Sequence, residues 1–111
     1  MNNASERLMN AKYTVEATIA ANKEKAIKMV VDISEYLVCQ IEKQAQDGRT
    51  HLCATKEIPE KEILDYTVLM GISTVADGFE SFKKLLRDFT EETGDLDVSQ
   101  SALRGVVIRL T

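Results

Sequence analysis

At 111 residues, 44% hydrophobic and 29% charged, with net charge −4, the chain has the size and composition of one globular domain. Its balance excludes a bulk attraction to nucleic acid or an anionic membrane. Two cysteines, Cys39 and Cys53, and a single histidine, His51, offer no metal-ligand spacing, so no metal site and no cofactor is expected and both thiols fit a reducing cytoplasm. No apolar run approaches membrane-spanning length, and Met1 to Met9 has no signal-peptide character.

Residues 1–10 are polar and read as a loose terminus before one domain over 11–111. In K-Y-T-V-E-A-T-I-A, residues Tyr13, Val15, Ala17 and Ile19 alternate with Thr14, Glu16 and Thr18, a period of two that predicts a strand. Asn22 is a candidate cap for a long helix over 23–46. There Ala26, Ile27, Val30, Ile33, Leu37, Val38, Ile41 and Ala45 form an apolar arc broader than one packed face requires. Met29 and Tyr36 fall off that arc. They are partly exposed or meet another part of the same fold, or they form a second contact surface, and with the broad arc they lead us to expect at least a dimer.

Asp47-Gly48 marks a turn, and Thr50 to Lys56 is a candidate second strand with poor alternation. Pro59 suits the first turn of a short helix through Met70, buried on more than one side, with Gly71 as its stop. Ile72 to Ala76 is a short strand or a connector. Asp77 and Glu80 have capping-box spacing ahead of a third helix, where Phe79, Phe82, Leu85, Leu86 and Phe89 share a stripe and Gly94 is the stop. Lys83 and Arg87 lie on its flank, beside Glu80/Lys84 and Lys84/Asp88 pairs. Glu91-Glu92 and the D-x-D at Asp95 and Asp97 read as a solvated turn. The closing G-V-V-I-R-L-T reads as a buried strand, with Val106, Ile108 and Leu110 on one face and Val107 and Arg109 on the other. The sum is an α+β domain: a small antiparallel or mixed sheet packed with about three helices, one of them long and N-terminal.

Candidate chemistry is sparse. A nucleophile–base pair has to use His51, with Cys53 two residues away, and phosphate-loop, dinucleotide and calcium-loop patterns are absent. This favours a binding protein over an enzyme. Phe82 reads first as core. Arg109 in a hydrophobic strand needs a partner, which is a carboxylate of this chain, a carboxylate across a subunit boundary, or a ligand phosphate.

Three stretches then carry a resemblance: N-A-K-Y-T-V-E-A-T, L-D-Y-T-V-L-M-G, and G-F-E-S-F-K-K-L-L-R-D-F with the closing G-V-V-I-R-L. From about Asn10 onward the chain resembles the type 1 Thoeris anti-defence family. Members are small phage proteins acting in the cytoplasm of the infected bacterium. They bind a cyclic ADP-ribose isomer made by a TIR-domain defence protein and hold it without cleaving it. Some also bind cyclic oligonucleotides, and they assemble as dimers grouped into hexamers. The resemblance implies Phe82 as an aromatic platform and Arg109 as a phosphate ligand, with Arg104, Lys28 and Lys25 as further ligand-binding residues. Where the family has a polar partner near the end of the third helix, this chain has Glu91-Glu92. Two other readings remain: a protein-binding inhibitor or structural phage protein, and a small hydrolase using His51 or the acids.

Overall fold

The computed structural model describes residues 4–90, 96–100 and 106–111. The order is α1 (Ala4–Gln46), β1 (Ala54–Ile58), α2 (Glu60–Met70), α3 (Val75–Thr90), β2 (Leu96–Gln100) and β3 (Val106–Leu110). The three strands form an antiparallel sheet in the order β1-β3-β2. The α+β class is thus as expected, and the sheet is purely antiparallel.

The largest departure is at the N-terminus. The expected strand at 12–20 and the expected loose segment before it are both helix, from Ala4 onward, so Asn22 caps nothing and lies inside α1. The local chemistry accounts for this. Ala11, Ala17, Ala20 and Ala21 favour helix, and no Gly or Pro interrupts the run. Thr14 and Thr18, which suggested a strand, donate their hydroxyls at 2.8 Å to the carbonyls of Asn10 and Thr14, four residues back. The result is one helix of 43 residues, about 65 Å long. It sets the long axis of a molecule measuring 73 × 30 × 17 Å. The radius of gyration is 18.6 Å, against about 13 Å for a compact chain of this size.

Only the C-terminal half of α1 packs in the head. Ala26, Val30, Ile33, Leu37 and Ile41 are buried there against α2, α3 and β1. Gln44 ties α1 to the chain entering β1: its amide donates to the Cys53 carbonyl at 2.6 Å and its oxygen accepts from the Cys53 N–H at 2.9 Å. Pro59 is the N-cap of α2. Gly71 closes the helix in the left-handed region at φ 72°, its N–H bonded to the last carbonyls.

The expected cap of the third helix moves. Thr74, not Asp77, stands before α3, and its hydroxyl accepts from the Asp77 N–H at 3.1 Å. Ile72 to Thr74 is a connector. This early start puts Gly78 inside α3, where the helix crosses α2. A Cβ there would fall on Thr67 Oγ1 and lie 2.7 Å from its Cβ, so the close crossing needs glycine. Gly94, the expected stop, lies outside the described residues.

β2 corrects the reading of Asp97 as part of a solvated turn, since Leu96 to Gln100 pairs along the whole of β3, while Asp95 lies outside the described residues. Leu96 and Val98 face the helices beside Leu110 and Ile108, while Asp97 and Ser99 share the other face with Arg109 and Val107. β3 supplies the buried Val106, Ile108 and Leu110, as expected.

Candidate functional site

Among the described residues, Phe82, Arg109, Lys25 and Lys28 are not brought together. Phe82 is 1% exposed and sits at the centre of the core. The edge-to-face partner of its ring is Tyr66, with centroids 5.4 Å apart and planes at 82°, while the Tyr66 hydroxyl bonds Ser81 at 2.9 Å. A stacking platform needs an open ring face, and within one protomer packing has consumed both faces. This corrects the platform role and leaves the core reading.

Arg109 is also not where a desolvated arginine would be. It lies on the solvent face of β3, exposed, directly between Thr55 of β1 and Asp97 of β2. Its guanidinium therefore carries no burial cost that demands a partner, and its cross-strand neighbour is a carboxylate. Lys25 and Lys28 are exposed on α1, where that helix enters the head. α1 packs on the other face of the sheet, where Lys56 of β1 lies 4.5 Å over the Tyr36 ring. The sheet thus separates these lysines from Arg109. Arg104 and Glu91-Glu92 lie outside the described residues.

Among the described residues, the head carries shallow clefts. One of about 430 Å³ lies between the starts of α2 and α3, lined by Ile63, Val75, Phe79 and Val106 and rimmed by Glu60, Asp77 and Glu80. A second, about 440 Å³, has Val31, Val38 and Phe89 as its floor and Glu35 and Glu42 at its edge. Carboxylate rims of this kind repel a polyphosphate. Glu80 bonds Lys83 at 2.7 Å, in place of the expected Lys84, and Lys83 also covers the Phe79 ring. His51 and Cys39 are exposed, and Cys53 is half-buried with Sγ 3.9 Å from the Thr55 hydroxyl. Among the described residues, no His/Cys/Asp/Glu group is arranged to hold a metal. No helix among the described residues is long and apolar enough to cross a membrane.

The feature that stands apart is the projecting half of α1. From Ala4 to Ala21 every residue is exposed, and Ala26 is the first to be buried. Yet this arm is not polar. Leu8, Tyr13, Val15 and Ile19 are 58%, 74%, 57% and 48% exposed. Leu8, Ala11, Val15, Ile19 and Asn22 lie on the same side of the helix as Ala26, Val30, Ile33, Leu37 and Ile41. One continuous stripe is therefore buried in the second half of the helix and bare in the first. The charge also divides. Of the 14 basic and 18 acidic residues, five and three fall in residues 4–28, so the arm and its junction carry +2 and the rest carries −6.

Neither a protein-family model, nor a curated protein, nor a solved structure matches this chain.

Proposed function

We propose that this protein acts by binding and holding a target without chemical turnover, and that the projecting half of α1 is its binding element. The observation that carries this reading is the bare continuation of the core stripe through Leu8, Val15 and Ile19. The same row already packs against protein along Ala26 to Ile41, so its spacing suits a protein surface. Helices in proteins draw most of their stability from packing of an apolar face, so cover on this side of the arm stabilises it. A photo-cross-linking residue at Ile19 is expected to form discrete protein adducts in cells expressing the chain. The same residue at Glu24, on the far side of the helix, is expected to form few. Equal labelling at both positions, or no protein adduct at Ile19, overturns the reading.

A second reading is the nucleotide sponge: sequestration of a cyclic ADP-ribose-type signal, with cyclic oligonucleotides as further ligands, in the cytoplasm of an infected bacterium. Its support is the exposure of Lys25, Lys28 and Arg109, whose cationic heads are open to an anion. Phe82 has no part in this reading within one protomer, and the ligand then sits between copies. Incubation with the cyclic ADP-ribose isomer, followed by heating and analysis of the supernatant, tests it. Depletion with intact ligand released on heating supports the sponge, altered ligand points to hydrolysis, and no depletion overturns it.

A further inference from the structure

We propose that the occupant of the arm is a second copy of this chain, packed antiparallel, arm against arm. The inference rests on the binding role of the arm and names its partner.

Three observations carry it. The first is the stripe itself. Val15, Ile19, Asn22, Ala26, Val30, Ile33 and Leu37 lie on one row with steps of three and four residues. The row runs without a break from the bare arm into the protomer's own core, so a helix laid on the arm extends an interface that already exists. The spacing repeats at eleven residues, which keeps the row on one side of a nearly straight helix.

The second is charge within the arm. If the exposed segments of two copies overlap fully, residue 4 lies opposite residue 25 and the two-fold axis passes between Thr14 and Val15. Lys12 and Glu16 occupy the same flank of the helix, one turn apart. Antiparallel pairing places Lys12 within one residue of register of Glu16 of the partner subunit, and does so twice. Parallel pairing in register sets like residues at the same level instead, Lys12 with Lys12 and Glu16 with Glu16. Interhelical charges at such flanking positions set orientation and partner choice.

The third is charge between arm and head. Antiparallel overlap over about 33 Å brings the tip of each arm to the head of the other copy, and the overlapping residues 4–25 carry +1 against −5 for the rest of the chain. A lipid surface fits less well. Met9, Tyr13 and Ile27 form a second apolar row on a different side of α1 from Leu8, Val15 and Ile19, and a helix lying on a membrane buries only one side.

The test uses the full chain with Cys39 and Cys53 replaced by serine. Sedimentation at tens of micromolar is expected to give a dimer or a larger assembly with an even number of subunits. In that background Val15→Cys, close to the two-fold axis, is expected to form an intermolecular disulfide readily. Leu8→Cys is expected not to, because its two copies stand about 20 Å apart. A monomer mass overturns the proposal, as does Leu8→Cys cross-linking as fast as Val15→Cys, which marks parallel or random encounter. A monomer that binds anionic vesicles, or whose Ile19 photo-adduct contains a different protein, overturns the second copy. The different-protein outcome leaves the arm a binding element. A monomer with no adduct at Ile19 removes both.

Discussion

Replacing Phe82 separates a structural aromatic from a ligand platform. Its ring is 1% exposed and packs against Tyr66 at 5.4 Å, so Phe82→Ala removes a buried phenyl group and leaves a cavity. Such truncations cost about 3–5 kcal/mol, and the lost edge-to-face pair accounts for about 0.5–1.5 kcal/mol within that range. Against a total stability of about 5–15 kcal/mol for a domain, the variant is expected to be marginal. At about 4–8 °C per kcal/mol, the midpoint falls by tens of degrees. Phe82→Leu keeps most of the volume and is expected to lose much less. Urea unfolding followed by circular dichroism reads both variants, with unchanged slope and a lowered midpoint as the signature of lost stability. Unfolding of Phe82→Ala at the wild-type midpoint would mean that the ring is not a packed part of the head.

Other sites give sharper or opposite expectations. Gly78→Ala drives a methyl into Thr67, whose hydroxyl is held at 2.7 Å on the Ile63 carbonyl. It is expected to cost about 1–3 kcal/mol by thermal unfolding, and Gly78→Ala in a Thr67→Ala background is expected to recover part of that. Gln44→Ala leaves both backbone groups of Cys53 without their partner. We expect a loss of about 1–3 kcal/mol and faster amide exchange at Cys53. Arg109→Ala, on the open sheet face, is expected to change stability by less than about 0.5 kcal/mol. If the same variant also depletes the cyclic nucleotide like wild type, the role given to Arg109 in the sponge reading is removed.

The head was largely legible in the sequence because its elements announce themselves locally. Pro59 and Gly71 bracket α2, and Val106, Ile108 and Leu110 alternate as a half-buried strand must. The arm was misread because Tyr13, Val15, Ala17 and Ile19 satisfy a period of two. Val15, Ile19, Asn22 and Ala26 satisfy a helical spacing just as well, and extending that row backward from Val30 would have decided between them. β2 was missed for a related reason. The carboxylates Asp95 and Asp97 give the stretch the pattern of a polar turn, and the apolar alternation is only two residues long, Leu96 and Val98. Arg109 was assigned to the correct face, but sequence alone could not show that this face is bare. That depends on every helix lying on the other side of the sheet, a property of topology and not of any local pattern.

Hydrogen exchange along α1 tests the arm most directly. An uncovered helical arm over residues 4–25 frays and exchanges quickly, because no tertiary packing supports it. Its amides between Leu8 and Ile19 are expected to be protected at tens of micromolar and to lose that protection on dilution, while those between Val30 and Ile41 stay protected throughout. Adding Val15→Glu and Ile19→Lys is expected to abolish the arm's protection and leave the head unchanged. Rapid exchange over Leu8 to Ile19 at every concentration, alone and in extract of the expressing cells, would contradict the account.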